Sequence, residues 1–256
     1  MININNYSVL LLSAGVARRM GNVTKNKPKS LLKVNGNSLL KRIIIILKKK
    51  KIKEISIVVG FKFEKIIREL KKVNGIKFNF IKINNYRSNG HACSWHAFKN
   101  HWLKTKKPII LMHTDIYFDE KYLDNILKSK KENIIGIHSN KRLFREDSIM
   151  VECTKKNKLK SLDYLKNNKS YYGEILGINK ISKKTSSNIF LFMDRFLLKD
   201  KKKLSWEFML NFFLKKNKDQ FYVLNKQNYI WKNINYLKDY NYLIKKFKKH
   251  KKLSSK

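Results

Sequence analysis

The sequence predicts an α/β protein built on a mostly parallel, mixed sheet with helices on both faces. Three observations carry this expectation. Short segments rich in isoleucine, valine and phenylalanine alternate with helix-length segments through the first half of the chain. The first apolar segment ends in a small-residue turn, Ser13-Ala14-Gly15, and the carboxyl ends of strands are where open α/β sheets form ligand crevices. With 256 residues, 43% of them apolar, the chain can bury a core of ordinary single-domain size.

Strands are predicted at residues 7–12, 54–59, 77–83, 109–113 and 133–138, each short and rich in β-branched or aromatic side chains. Helices are predicted between them at 38–51, 62–72, 92–104 and 120–130, the first with Ser38 as its N-cap. From residue 147 the pattern changes to a hairpin at 149–153 and 158–162, a segment at 174–181, and helices at 187–198 and 205–215. Strand-like stretches at 221–224 and 229–234 then lead to a basic helix at 237–249 and a polar tail, 250–256, expected to fray. No Pro- or Gly-rich linker divides the chain, so one domain over residues 1–249 is expected.

The formal charge of +41 would suit a nucleic-acid partner, yet only eight of the 59 basic residues are arginine and the lysines are spread through every segment. That spread, with abundant isoleucine and asparagine, matches the codon usage of an AT-rich genome expressed at surface positions. Without an arginine stripe or a known module, non-specific polyanion binding at low salt is expected and a specific nucleic-acid partner is not. Cys93 and Cys153 lie far apart without metal-ligand spacing and read as reduced thiols. The longest aliphatic run, residues 43–47, is flanked by basic residues and is far too short to span a membrane. The N-terminus lacks the features of a signal peptide, so a cytoplasmic location is expected.

The most informative stretch is residues 11–36, LLSAGVARRMGNVTKNKPKSLLKVNG. A turn of small residues lets backbone N–H groups approach an anion, and the basic residues that follow, Arg19 and Lys29 among them, would neutralise a polyphosphate. A second feature is Asp115 in PIILMHTDIYF, at the carboxyl end of an apolar strand and so at the same edge of the sheet. Taken alone, such an aspartate reads as a turn or helix cap. Beside a triphosphate-binding loop it reads as a ligand for magnesium, which favours one or two carboxylates together with phosphate oxygens and water.

Residues 11–36 resemble the nucleotidyltransferase signature L-x-A-G-x-G-x-R-M-G…P-K-x-L-L-x-V-x-G, with Gly15, Arg19, Met20, Gly21, Pro28, Lys29, Leu31, Leu32, Val34 and Gly36 on pattern positions. Ser13 replaces an alanine. Ala17 replaces the second glycine, where a methyl fits a negative φ but crowds the phosphates at a positive one. The chain is most similar to the phosphocholine cytidylyltransferase type within the sugar-phosphate nucleotidyltransferase-like family. Residues 231–240, WKNINYLKDY, match that type's W-x-E-I-D-x-x-x-D-Y frame, with Asn233 and Asn235 at the acidic positions and Asp239 at a structural one.

The resemblance implies a Rossmann-like sheet of the nucleotide-diphospho-sugar transferase type, with a nucleotide-binding half to about residue 140 and an acceptor half at 141–249. It implies Mg²⁺-dependent transfer of CMP from CTP to a small phosphorylated or phosphonate acceptor, with release of pyrophosphate. Lys29 and Arg19 would be catalytic, and Leu12, Ser13, Ala14, Gly15, Arg19 and Lys29 would bind the nucleotide, with Asn89, Gly90 and Ser94 towards its base. Asp115, and more weakly Asn235, would hold the metal, while Glu174, Tyr172 and Trp231 would face the acceptor. Two other readings stay open: a sugar-1-phosphate acceptor, and a catalytically silent nucleotide-binding homologue, which Ala17, Asn233 and Asn235 favour. A homodimer is compatible with the sequence but not indicated by it.

Overall fold

The computed structural model describes residues 3–87, 90–140, 144–166, 169–199, 204–225 and 229–253. The chain enters through β1 (Ser8–Ser13), then two 3-10 helical turns, Arg18–Thr24 and Lys29–Leu31. A small hairpin, β2 (Lys33–Val34) and β3 (Asn37–Ser38), leads into α1 (Leu39–Lys49). Ser38 caps α1 by accepting the Lys41 N–H at 3.0 Å, as its position before an apolar run predicts. Of the four consecutive isoleucines in α1, helical periodicity buries Ile43, Ile44 and Ile46 and leaves Ile45 38% exposed.

There follow β4 (Glu54–Val59), α2 (Phe63–Leu70), β5 (Lys77–Lys82), α3 (His91–His96), α4 (Lys99–Thr105), β6 (Ile109–His113), β7 (Ile116–Phe118), α5 (Glu120–Lys128) and β8 (Ile134–His138). The second half adds β9 (Ile149–Cys153), β10 (Leu159–Tyr164), β11 (Gly173–Ile181), α6 (Lys183–Lys199), α7 (Trp206–Lys216), β12 (Tyr222–Asn225), β13 (Trp231–Asn233) and α8 (Leu237–Leu253).

Among the described residues, one nine-stranded sheet carries both halves. Its main path runs β10-β9-β11-β6-β1-β4-β5, while β8 pairs with β11 and β12 pairs with β8. β1 lies parallel to both β4 and β6, and β4 is parallel to β5, so the first half is the parallel layer that its alternating pattern predicts. The antiparallel pairs belong to the second half, where β11 joins β6, β8 and β9 and β10 returns along β9. Successive β1 residues point to opposite faces. Leu11 packs with α1 and α5 on one side, and Leu10 with the aromatic side chains of α3, α4, α6 and α7 on the other.

Three expectations are corrected. The helix predicted at 92–104 is two helices meeting at residues 97–98. The stretch at 229–234 does not extend the main sheet; its ordered part, β13, pairs antiparallel with β7 in a separate ribbon. Periodicity within one segment cannot name its partner. The terminal helix continues to Leu253, past the point where fraying was expected. A third cluster explains the importance of that helix: Met20, Leu32, Val34, Leu39, Tyr117, Ile234 and Leu243 pack together, so α8 clamps the loop after β1 against the β7–β13 ribbon.

β11 is irregular where it faces β8. Its register slips between Ile175 and Asn179, with Gly177 at φ +73°. Near this slip the Ile137 N–H donates to the Tyr122 hydroxyl at 2.9 Å, and that hydroxyl lies 2.6 Å from the Leu224 carbonyl as donor. One phenol thus ties α5 to β8 and β12. Tyr122→Phe strands these backbone groups in a buried setting and is expected to cost about 1–3 kcal/mol, read by urea unfolding; an unchanged midpoint would remove the hydroxyl from this role.

Candidate active site

The Leu12↔His113 register sets the carboxyl ends of β1 and β6 level. Thr114 reinforces the alignment, its hydroxyl donating to the Leu12 carbonyl at 2.8 Å. A cleft of about 410 Å³ opens above these ends, between the turn after β1, the Pro28–Lys29 step, the segment leading into α3, and Asn235. Ser13 donates to Ser30 at 2.8 Å in a buried hydroxyl pair, fixing the 3-10 turn that carries Lys29 against the strand end. At Gly15 an added Cβ would meet nothing within 4 Å, so its surroundings are open. Gly90 is glycine for a different reason: a Cβ there would lie 1.8 Å from the Leu204 carbonyl oxygen.

Lys29 is the electrostatic centre. Its Nζ lies 2.6 Å from Asp115 Oδ2 and donates to Asn235 Oδ1 at 3.2 Å, joining the loop after β1, the turn after β6 and the segment before α8. Burial alone would raise the Asp115 pKa, but the adjacent ammonium outweighs it and holds the carboxyl well below the usual range. Asn235 is placed by Asp239, whose Oδ2 accepts the N–H groups of Asn235 at 3.1 Å and Tyr236 at 2.9 Å. Asp239 is 1% exposed and compensated by Arg145 and by Lys232 at 3.1 Å, consistent with a structural role.

Arg19 also lines the cleft. Its guanidinium pairs with Asp147, donates to the Tyr236 hydroxyl at 3.1 Å, and lies 4.9 Å from the Tyr236 ring centroid. The Tyr236 hydroxyl in turn donates to Asp147 at 3.0 Å. Asp147, which precedes β9, thus ties the second half of the chain to the loop after β1.

The residues fit a magnesium ion in a limited way. Asp115 Oδ1 is buried without a hydrogen-bond partner, and Lys29 places a positive charge between Asp115 and Asn235. Among the described residues no group of three or more His, Cys, Asp or Glu could hold a metal. The protein therefore offers one carboxylate and one amide oxygen, leaving the other positions to phosphate oxygens and water.

Beside the cleft, a recess of about 10 Å³ is lined by Glu174, Trp231, Asn233 and Asn235 together with Asp147 and two basic residues. Burial pushes the Glu174 carboxyl up to about 7 despite its bond to Ser148 and the nearby Lys232 and Arg145. Trp231 stacks on His138 with ring centroids 5.0 Å apart. Glu174 and Trp231 therefore line one recess, and Tyr172 does not join them. It is 43% exposed just outside β11 and lines neither cleft nor recess. Leu12, Ser13, Ala14, Gly15, Gly90 and Ser94 line the cleft; Asn89 lies outside the described residues.

Sequence reasoning missed the roles of Asp147, Tyr236 and Arg145, and a buried group beneath the cleft. There the Trp206 indole donates to His113 Nε2 at 2.7 Å, and burial pushes the Glu207 carboxyl up to about 7 and the His113 imidazole down to about 4. The available signal was polar residues within apolar segments, which is weak without knowledge of which elements meet.

Ala17 adopts φ +55°, the left-handed conformation that a glycine in the signature would accept without strain. Ala17→Gly is expected to raise stability by up to about 1 kcal/mol in urea unfolding; a loss would show that methyl packing against the Met20 cluster dominates. Glu207 gives a pH test. Its folded pKa lies above its unfolded value near 4.5, so its ionisation removes stability as pH rises from about 4.5 through about 7. Glu207→Gln should match wild type near pH 4.5 and exceed it by about 3 kcal/mol above pH 7; a pH-independent difference would refute the shift.

Solved structures share this fold. A CTP:phosphocholine cytidylyltransferase from Streptococcus pneumoniae superposes with a TM-score of 0.74 at 21% identity, covering 94% of this chain and 99% of that one. An inositol-1-phosphate CTP transferase from T. maritima gives 0.77 at 18% identity, covering 94% and 96%. A putative glucose-1-phosphate thymidylyltransferase from Bacillus anthracis gives 0.77 at 14%, covering 93% and 94%. By sequence, a bifunctional protein GlmU from Methanococcus aeolicus is 32% identical over 129 residues, which is 50% of this chain and 29% of that protein. With residues 9–170, well over half its length, matching the MobA-like NTP transferase domain, the chain belongs to that nucleotidyltransferase family.

Proposed function

We propose that this protein transfers CMP from CTP to a small phosphorylated or phosphonate acceptor and releases pyrophosphate. The observation that carries the reading is Lys29 held between Asp115 and Asn235 at the rim of a small-residue loop. This arrangement suits a triphosphate and a metal that arrive together. An acceptor oxygen attacks the α-phosphorus, a new P–O bond forms, and the bond to the β-phosphate oxygen breaks. The attacking oxygen is already anionic, so no general base is required and the protein's work is alignment and charge neutralisation.

The N–H groups of the turn after β1 would cradle the triphosphate, with Lys29 and Arg19 exchanging Asp115 and Asp147 for phosphate oxygens. Magnesium, held by Asp115 and weakly by Asn235, would supply additional charge neutralisation at the phosphates. Gly90 and Ser94 would border the base, and the resemblance of their segment to that of cytidylyltransferases favours CTP. Glu174 and Trp231 would face an acceptor that carries an amine, with Asp147 freed to join them.

The test is pyrophosphate release with each of the four common nucleoside triphosphates, magnesium, and a panel of phosphocholine, aminoethylphosphonate and sugar-1-phosphates. Turnover is expected with CTP and an amine-bearing acceptor; turnover only with a sugar-1-phosphate would overturn the acceptor assignment. Lys29→Ala, which also leaves Asp115 without its ion-pair partner, is expected to lower kcat by about 10²–10³-fold in protein that remains folded, and unchanged turnover would remove Lys29 from the mechanism. If the protein binds triphosphate but stays silent across the panel until Asn235→Asp is introduced, it is a binding homologue.

A further inference from the structure

We infer that Trp206 and His113 act as a positioning pair for Asp115, with the indole fixing the imidazole so that its Nδ1–H lies beside the aspartate's free oxygen. This rests on the reading of Asp115 as the metal-binding carboxylate. An indole N–H can only donate, and it lies 2.7 Å from His113 Nε2, so Nε2 must present its lone pair. The proton of the neutral ring is then on Nδ1. Nδ1 lies 3.9 Å from Asp115 Oδ1, the buried oxygen without a hydrogen-bond partner.

The ring occupies space that a side chain on β11 would otherwise fill. Gly177, at φ +73° in the bulge of β11, lacks the Cβ that would sit 2.9 Å from His113 Cγ and 3.2 Å from Nδ1. The His91 ring meets it edge-on, with centroids 5.9 Å apart. The bulge therefore makes space for this imidazole while the indole sets its tautomer.

The geometry has a use in the proposed reaction. The Asp115 carboxylate is gripped at Oδ2 by Lys29, at 2.6 Å. When Lys29 turns to phosphate, that grip is lost. The Nδ1–H at Oδ1 is too distant for a hydrogen bond in this state, and the carboxylate must move about 1 Å towards it to form one. It would then hold the aspartate in place while its other oxygen binds metal. His113 and Trp206 touch no reacting atom in this scheme.

Two measurements test the inference. Long-range ¹H–¹⁵N spectra of the ¹⁵N-labelled protein should show His113 with Nδ1 protonated and Nε2 unprotonated; the reverse tautomer overturns the inference without reference to activity. Calorimetric titration of Mn²⁺ with a non-hydrolysable CTP analogue present then reads the effect on the metal. His113→Leu should weaken Mn²⁺ binding by about 10–100-fold. His113→Asn, whose amide N–H can occupy the Nδ1 position, should recover most of that loss, whereas His113→Gln should not. Leucine and asparagine variants of equal affinity overturn the inference. Wild-type protein that binds the analogue with no metal dependence overturns the proposed function itself, whereas wild-type metal binding left unchanged by His113→Leu overturns only the positioning role.

Discussion

The parallel pairing of β1 with β6 is the constraint on which the site depends. With Leu12 opposite His113, the small-residue turn and Asp115 emerge at the same level from neighbouring strands. A parallel neighbour delivers its carboxyl end to the same edge, whereas an antiparallel neighbour would deliver its amino end. β11 lies antiparallel on the far side of β6, and its bulge is what admits the His113 ring. The layout of the second half thus serves the chemistry at the junction with the first.

A partly buried carboxylate at the floor of a cleft requires positive charge, and the protein supplies it internally. Lys29 neutralises Asp115 and reaches Asn235, while Arg19 is balanced by Asp147. Lys29 and Arg19 thus each have an acidic partner across the cleft. The site is consequently assembled before substrate arrives, which limits the reorganisation that binding would require. The net charge of +41 is a separate matter: it is spread over surface lysines and raises the general attraction for anions, whereas these paired cations define a place.

The segment before α8 is held by a second network. Buried Asp239 is met by Arg145 and Lys232 and fixes the backbone of Asn235 and Tyr236, so the amide that faces Lys29 is set by a side chain four residues later. Ile234, between the two asparagines, anchors the same segment in the cluster that α8 closes. Glu174 and Trp231 then share a recess with Asn235. Asn233 and Asn235, at positions where the resembled frame carries acids, thus sit in a segment fixed from both sides.

Much of this was legible in the chain itself. The alternation of apolar segments marked the main strands of the first half, because a 2.0 or 3.6 residue period is a local property, although it did not show the break at residues 97–98 in the helix expected at 92–104. The spacing of residues 11–36 pointed to a nucleotide loop, and the end-of-strand position of Asp115 placed it at the same edge. Tertiary structure alone decided that β13 pairs with β7, that Tyr172 is exposed and outside the recess lining, and that Ala17 takes a positive φ. It also decided that Trp206 meets His113 from 93 residues away. The physical reason is the same in each case: periodicity reports which face of an element is buried, but a partner chosen across the fold depends on how the elements pack, and that information is not local.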